Sequence, residues 1–184
     1  MSGPRFLAIC GSLREQSFNR KLLNLAVAEA QRLGAEVDVV EAKALVMPIY
    51  DGELEASEGL PPAAAALKER LRAAAGLIIA SPEYNYSIPG GLKNAIDWIS
   101  RPPAPPFKDR WAALMGASTG AYATLRMQPH LRQVLGNLGM YLLPGQVLLP
   151  GAHQAFDEKN QLREPLRLRA VSELMEALIH QTRR

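Results

Sequence analysis

Residues 6–19 read FLAICGSLREQSFN, a short apolar run followed by a polar loop. The apolar part, residues 6–10, ends at Gly11 and is typical of a strand that is buried on both faces of a sheet. A helical pattern of apolar residues then runs from Leu22 to Leu33 and ends at Gly34. A buried strand that leads through a loop into a helix is the repeating unit of a parallel sheet.

The same alternation continues to the end of the chain. The sequence predicts four more strands, at residues 36–40, 77–80, 111–117 and 146–149. It predicts further helices after Pro62, at residues 91–100 and 131–138, and after Pro165. Pro129 is expected either in the first turn of its helix or at a kink.

Five strands joined by helices predict an α/β fold, a three-layer sandwich around a five-stranded parallel sheet. We expect the flavodoxin-like strand order 2-1-3-4-5. In this order the second strand, whose polar and apolar residues alternate, lies at an edge of the sheet. Residues 1–184 contain no linker or internal repeat, and we expect them to form one domain.

The composition excludes several classes of function. Of the 184 residues, 48% are hydrophobic and 21% are charged, as in an ordinary globular protein, and the net charge is +3. The arginines near the C-terminus have no aromatic residues between them for stacking on bases, which argues against nucleic acid as a partner. Cys10 is the single cysteine, which excludes an intrachain disulfide and favours a cytoplasmic location. The three histidines lack the spacing of metal ligands, and no apolar run is long enough to cross a membrane.

The loop after the first strand carries residue types that bind phosphate. In the predicted strand order, ligands bind beyond the carboxyl ends of strands one and three, where this loop lies. Ser12, Ser17 and Asn19 offer side-chain donors, and the start of the following helix adds backbone N–H groups. Arg14 offers a charge-assisted donor. The alternative is that Ser17 or Asn19 only caps that helix, and from these residues alone both interpretations stay open.

The stretch after the third strand reads SPEYNYSIPGGLKN, at residues 81–94. Its prolines restrict the backbone, its glycine pair permits a close approach, and Tyr84 and Tyr86 have flat faces with polar tips. Such a loop could frame a planar heterocycle, with Glu83 and Asn85 reaching the edges of the ring. The alternative is a tyrosine-bearing turn that packs on the sheet. The expected proximity of the phosphate-binding loop favours the heterocycle.

The sequences GSLREQSFN, at residues 11–19, and SPEYNYSIPGGLKNAIDW, at residues 81–98, resemble the NADPH-dependent FMN reductase family. The match is strongest to the bacterial chromate, quinone and azo-dye reductases and extends from Phe6 to the final helix. The resemblance implies an oxidoreductase that holds FMN non-covalently, takes electrons from NADPH or NADH, and passes them to a small acceptor. It also implies ping-pong kinetics, no obligatory catalytic acid or base, and a homodimer or homotetramer. Four apolar residues fit either a subunit interface or the core, namely Trp98, Ile99, Tyr122 and Met127.

The resemblance further implies which residues contact the cofactor. The family's phosphate loop matches Ser12 through Asn19, and the segment beside the isoalloxazine ring matches Pro82 through Asn85. The implied contacts are Ser12, Leu13, Arg14, Gln16, Ser17, Phe18, Asn19, Pro82, Glu83, Tyr84, Asn85, Ser118 and Gly120. Arg126 matches an arginine that lies close to the flavin or to a subunit contact. Residues 121–125 read AYATL where relatives often carry a glycine pair, and we expect the pocket above the ring to differ there.

Two other functions are compatible with the same scaffold. A flavodoxin would share the fold and the cofactor but would carry single electrons between proteins. Such carriers tend to be strongly acidic, whereas this chain is basic and has Arg14 in its phosphate-binding loop. A flavin-free binding protein is the second alternative, since a fold does not establish a function.

Overall fold

The computed structural model describes residues 3–103 and 105–183, which include a parallel five-stranded sheet. The strands are β1 (Arg5–Cys10), β2 (Glu36–Val39), β3 (Gly76–Ala80), β4 (Trp111–Ala117) and β5 (Tyr141–Leu149). Their order across the sheet is β2-β1-β3-β4-β5, and every neighbouring pair is parallel. This order confirms the prediction and leaves β2 at an edge.

Helices cover both faces of the sheet and complete the three-layer sandwich. They are α1 (Phe18–Arg32), α2 (Gly52–Glu58), α3 (Pro62–Arg72), α4 (Gly90–Ile99), α5 (Met127–Asn137), α6 (Ala152–Ala155) and α7 (Pro165–Thr182). Helices α1 and α7 contribute Leu22 and Met175 to the apolar cluster on one face. Helices α3, α4 and α5 contribute Leu67, Leu92 and Leu131 to the cluster on the other face. Two apolar layers explain why β1 and β3 are continuously apolar.

Local sequence signals set the starts of the helices. The Oγ of Ser17 caps α1 by accepting a hydrogen bond from the Asn19 N–H at 3.2 Å. Pro62 and Pro165 open α3 and α7, where a proline removes no helical hydrogen bond. Pro129 lies in the first turn of α5, which is one of the two predicted positions.

The last strand differs from its prediction, because β5 begins at Tyr141 rather than at Gln146. In the sequence, Pro144 and Gly145 favour a turn. In the structure they lie within an edge strand, where proline is tolerated. The register of β4 and β5 shifts between Ala112 and Leu114, and this irregularity accommodates extra residues of β5.

The exposed fractions of the four apolar residues that fitted either the core or an interface assign three of them to the core. Trp98, Ile99 and Met127 are at most 2% exposed and belong to the core. The indole Nε1 of Trp98 donates a hydrogen bond to the Pro48 carbonyl at 2.8 Å, which satisfies its buried polar atom. Tyr122 is 66% exposed, and so it is the member of the group that remains available to a partner.

Candidate cofactor site at the carboxyl edge of the sheet

Two loops meet where β1 and β3 end. We call residues 11–17 the first loop and residues 81–89 the second loop. The Gly11 N–H donates a hydrogen bond to the Ala80 carbonyl at 2.9 Å, which brings the start of the first loop beside the end of β3. A Cβ atom on Gly11 would lie 2.2 Å from Ser81 Oγ, so only glycine allows the loops this close.

A cleft of about 200 Å³ opens where the two loops approach the end of β4. Its lining residues come from all three segments and are Ser12, Arg14, Ser17, Phe18, Asn19, Pro82, Glu83, Tyr84, Ala117, Ser118 and Thr119. We call it the main cleft. The structure thus brings together most of the residues that the sequence predicted as cofactor contacts, although they are as far apart in the chain as Ser12 and Ser118.

A second cleft, of about 310 Å³, adjoins the main cleft and shares Arg14 and Tyr84 with it. Leu13 lines this second cleft and not the main cleft. Both clefts together reach the size of a typical small-molecule site. Gln16, Asn85 and Gly120 were also predicted as contacts, but they line neither cleft.

The first loop presents hydrogen-bond donors that the protein itself does not use. Within residues 12–18, the Arg14 N–H donates to Ser12 Oγ at 3.3 Å, and the Ser12 N–H donates to the Cys10 thiol. The N–H groups of Leu13, Glu15 and Gln16 donate to no described residue. The side chains of Ser12 and Ser17 are buried beside these open N–H groups. Because the same segment forms the start of α1, the positive end of the helix dipole adds to the attraction for an anion.

Arg14 and Asn19 have different environments, although the sequence predicts both as phosphate donors. Arg14 is exposed, and no described residue forms a hydrogen bond with its guanidinium. Asn19 is buried, and its side-chain amide exchanges two hydrogen bonds with Ala117: Nδ2 donates to the carbonyl at 2.9 Å, and Oδ1 accepts from the N–H at 2.8 Å. Asn19 therefore ties α1 to the end of β4 and keeps one amide hydrogen for other partners.

The second loop is a tight turn with its own hydrogen bonds. Tyr84 N–H donates to the Ser87 carbonyl at 3.1 Å, and Ser87 N–H donates to the Tyr84 carbonyl at 3.0 Å. The two residues between them, Asn85 and Tyr86, have φ angles of +47° and +66°. Positive φ at both central residues is the requirement of the type I′ turn. The loop is consequently held in one shape before any ligand arrives.

The carboxylate of Glu83 points to the start of α5 and is nearly buried, with 8% of the side chain exposed. It accepts hydrogen bonds from the Arg126 N–H at 3.0 Å, the Met127 N–H at 3.1 Å and the Arg126 Nε at 2.8 Å. Burial raises the pKa of this carboxyl, but these hydrogen bonds and the Arg126 charge outweigh it and lower the pKa below its ordinary value. Because α5 engages the side chain, the backbone of Glu83 remains as the part that could contact a ring.

Arg126 itself stacks on the second loop. Its guanidinium carbon lies 3.8 Å from the centre of the Tyr86 ring and 5.6 Å from that of Tyr122. Both tyrosines are about two-thirds exposed. Within the segment 121–125, which departs from the family pattern, Ala123 has a positive φ of 49°. The structure therefore connects this segment to the second loop through Arg126.

The end of β4 contributes two lining residues that the sequence analysis missed, Ala117 and Thr119. Ala117 has no polar side chain, and the hydroxyl of Thr119, directly after Ser118, is the signal that could have indicated this position. Ser118 is held in place: its N–H donates to the Leu149 carbonyl at 3.0 Å, and its Oγ accepts from the Gly120 N–H at 3.2 Å. Gly120 therefore contacts Ser118 and does not line the cleft.

Three further observations bear on partners. Within the parts of the chain that the structure describes, no helix has both the length and the apolar character needed to cross a bilayer. Across residues 3–103 and 105–183, no three histidine, cysteine or acidic side chains are grouped as metal ligands would be. Cys10 is 1% exposed, and burial raises the pKa of its thiol, as expected of a core residue.

Comparison with known proteins identifies the family. Residues 4–154 match the family model described as NADPH-dependent FMN reductase, and these residues are most of the chain. The chain belongs to the NADPH-dependent FMN reductase family. Membership confirms the expected oxidoreductase, with FMN and a reduced nicotinamide nucleotide as its redox partners.

Two relatives match this FMN reductase family member over nearly its whole length. An NAD(P)H-dependent FMN reductase of Pseudomonas aeruginosa is 39% identical over 175 residues, which cover 95% of this chain and 92% of the relative. An NAD(P)H:quinone oxidoreductase of Solanum tuberosum is 38% identical over 178 residues, which cover 92% of this chain and 90% of the relative.

Solved structures agree with the fold. A flavoenzyme NAD(P)H:(acceptor) oxidoreductase from Paracoccus denitrificans has a TM-score of 0.85 at 25% identity, covering 98% of this chain and 97% of its own. A flavodoxin from the domain Archaea has a TM-score of 0.65 at 9% identity, covering 98% of this chain and 99% of its own. The flavodoxin shows a shared fold alone.

Proposed function

We propose that this chain is a cytoplasmic, single-domain enzyme that holds FMN non-covalently and transfers electrons from NADPH or NADH to a small acceptor. The acceptor classes we propose are quinones, azo compounds, chromate and free flavin. One observation carries the proposal: a loop with open anion donors and a rigid tyrosine-bearing turn meet at one cleft. The cytoplasmic location is supported by the single, buried cysteine.

The residues of the first loop fit the phosphate end of FMN. Open backbone N–H groups, two buried hydroxyls and the unengaged Arg14 guanidinium supply neutral and charged donors in one place. Glu83, the acidic residue that lines the main cleft, is paired with Arg126, which offsets its repulsion of an anion. Ser12, Arg14 and Ser17 would therefore hold the phosphate, with Asn19 fixing the start of α1 beside them.

The second loop would hold the flat end of FMN. FMN held by these two loops would supply the redox chemistry, namely hydride acceptance from the reduced nicotinamide and electron transfer to the acceptor. The turn from Tyr84 to Ser87 keeps the backbone in one shape, so any N–H group that it offers to the ring is preorganised. The protein's part is to bind and orient the ring, and we assign no side chain the role of a proton donor or acceptor.

A third cleft, of about 590 Å³, supports a flat acceptor of low polarity. Apolar side chains line much of it, including Leu45, Val46 and Ile49. Leu13 and Gly91 line both this cleft and the second cleft, so the apolar space continues toward the proposed ring position. Among the acceptor classes, this lining suits a quinone best.

We also propose a homodimer or homotetramer. Ile49 is 85% exposed and Val46 is 63% exposed on the same face of the molecule, and burial of such side chains against a second copy would be favourable. Analytical ultracentrifugation of the flavin-loaded protein would measure the assembly state. A monomer at all concentrations would contradict this part of the proposal.

The function is tested on freshly purified protein in three steps. We expect visible flavin absorbance with about one FMN per chain, anaerobic bleaching on addition of NADPH or NADH alone, and recovery of the absorbance on addition of a quinone. Initial rates at several fixed quinone concentrations should give the parallel double-reciprocal lines of ping-pong kinetics. A flavin that nicotinamide nucleotides do not bleach would instead indicate an electron carrier, and protein that never binds flavin would indicate a binding protein.

A further inference from the structure

Glu83 is placed between the main cleft and α5 and touches both. Glu83 lines the main cleft, while its carboxylate accepts three hydrogen bonds from Arg126 and Met127 at the start of α5. Two of the three donors are backbone N–H groups. The carboxylate is therefore bonded to the backbone at the start of α5 as well as to the Arg126 side chain. The bonds join residues 43 and 44 positions apart in the chain.

The contact differs from an ordinary surface ion pair. Only 8% of the Glu83 side chain is exposed, so water cannot replace the three donors if the carboxylate is lost. The start of α5 also adds the positive end of a helix dipole to the guanidinium charge. A second contact from the same arginine, 3.8 Å to the Tyr86 ring centre, returns to the far side of the turn. The second loop is thereby held at two points, before its turn through Glu83 and at the centre of the turn through Tyr86.

We propose that Glu83 is a positioning residue for the flavin: its carboxylate anchors the second loop to α5 and so fixes the backbone that borders the ring. The inference rests on the proposed function and deepens it, because it assigns the side chain to α5 and only the backbone to the cofactor. Glu83 is not a catalytic residue in this assignment. The anchor acts on ring binding and orientation and leaves phosphate binding to the first loop.

The test compares two carboxylates with similar surroundings. Glu83→Gln keeps the shape of the side chain but removes its charge and places an amide donor among N–H donors. The matched control is Asp38→Asn on β2, because Asp38 also accepts three hydrogen bonds, although all of its donors are arginine side chains: two bonds come from Arg70 and one from Arg5. Asp38 lines none of the three clefts. Both variants lose a paired carboxylate, but only Glu83 lies beside the proposed flavin site.

Binding of FMN and of riboflavin, which lacks the phosphate, separates the roles of the loops. For Glu83→Gln we expect both dissociation constants to rise by about tenfold, because the loss concerns the ring. At saturating FMN, we expect kcat to fall several-fold while KM for NADPH stays unchanged. Asp38→Asn should leave both flavin dissociation constants and kcat as in the parent protein, whatever it does to thermal stability. A merely structural role of Glu83 would move the melting temperature without these changes.

Each outcome decides the inference. Unchanged flavin binding and kcat in Glu83→Gln, or equal changes in Asp38→Asn, would overturn it. If Glu83→Gln does not fold, Arg126→Gln is the second variant, because it keeps both backbone donors and removes only the guanidinium. We expect this variant to bind riboflavin about threefold more weakly than the parent does. Unchanged riboflavin binding would again overturn the inference. Parent protein that binds neither flavin would refute the proposed function itself, whereas a parent that binds both separates that failure from failure of the anchor.

Discussion

The first and second loops lie against each other, yet they are built in opposite ways. The second loop uses its polar groups within the protein: Tyr84 and Ser87 bond to each other, and the Glu83 carboxylate bonds to α5. The first loop leaves several of its backbone donors open, although the Gly11 N–H donates to Ala80 and the Arg14 N–H donates to Ser12. The comparison teaches that an anion site is made from unused donors, whereas a site for a flat ring is made from a fixed shape.

The energetic reason lies in what each ligand can supply. A phosphate brings several strong acceptors, so donors that are partly buried and unsatisfied without it gain hydrogen bonds when it binds. A ring system offers few polar atoms and a large flat surface, so it gains most from walls that already have the right separation. Four predictions test this contrast between the loops, and the largest expected effect comes first.

Gly11→Ala should disturb both loops at once. The new Cβ would lie 2.2 Å from Ser81 Oγ and 2.8 Å from Ser81 Cβ, so one loop must move away from the other. We expect a loss of about 2–3 kcal/mol in the free energy of unfolding, measured by urea denaturation. FMN binding, followed by fluorescence quenching, should weaken by about 30- to 150-fold, since the loss of binding free energy would be comparable in size.

The control for Gly11→Ala is Gly136→Ala in α5. No atom lies within 4 Å of the position of its new Cβ, and alanine favours a helix over glycine. We expect this variant to be more stable by about 0.5–1 kcal/mol, with FMN binding unchanged. Normal flavin binding by Gly11→Ala would contradict the requirement that the loops meet this closely.

Arg14→Ala should separate the phosphate end from the ring end. No described residue engages the Arg14 guanidinium, so its removal should leave the free energy of unfolding within about 0.5 kcal/mol of the parent. Loss of one charge-assisted hydrogen bond should weaken FMN binding by about tenfold. Riboflavin binding should not change, because riboflavin has no phosphate for Arg14 to bind.

Lys159→Ala is the control for Arg14→Ala, because it removes the same charge from an exposed turn that lines none of the three clefts. Equal weakening of FMN binding by both variants would assign the effect to net charge. Equal weakening of FMN and riboflavin by Arg14→Ala would assign Arg14 to the ring and remove the distinction between the loops.

Glu83→Gln should remove a pH dependence that the Glu83 carboxylate gives to the stability of the second loop. The pKa of Glu83 is lowered from an ordinary value of 4.5, so its stabilising effect is complete above about pH 4.5 and is lost as the pH falls through the lowered pKa of the folded state. At pH 7 we expect the variant to be about 1–2 kcal/mol less stable by urea denaturation. The gap between the two proteins should close under acid, where Glu83 of the parent is protonated.

Glu15→Gln on the first loop is the matched control for this pH dependence. Its side chain is exposed and forms no hydrogen bond with a described residue, so we expect little change in stability at any pH. A gap for Glu83→Gln that stays constant from neutral to strongly acidic conditions would show that the carboxylate charge does not hold the second loop.

Tyr86→Gly should have the smallest effect. Glycine relieves the cost of a positive φ of 66°, about 1 kcal/mol for a side chain in the left-handed region. The same change removes the contact between the ring and the Arg126 guanidinium, which contributes about 0.5–1 kcal/mol. The net change in the free energy of unfolding should therefore stay below about 1 kcal/mol. A loss above about 2 kcal/mol would show that the tyrosine side chain, and not the turn backbone, sets the shape of the second loop.

Local sequence was enough to predict the sheet and the residue types at its edge. The apolar runs at residues 6–10 and 77–80 predicted buried inner strands, and the alternating residues 36–40 predicted an edge strand. Hydrophobic periodicity carries this information because the pattern of apolar residues along a strand depends on how many of its faces are buried. The same reasoning misplaced the start of β5, since Pro144 and Gly145 favour a turn in isolation and only the edge position of the strand makes them acceptable.

The sequence by itself determined the strand order, the two loops that face each other, and the kinds of donor that the first loop carries. The tertiary structure alone decided how individual side chains are used. It directs the Glu83 carboxylate to α5, and it bonds both polar atoms of the Asn19 side-chain amide to Ala117, 98 residues away. The physical reason is that periodicity and turn preference are properties of neighbouring residues. The partner of a buried polar group is set instead by the distant segment that folding brings against it.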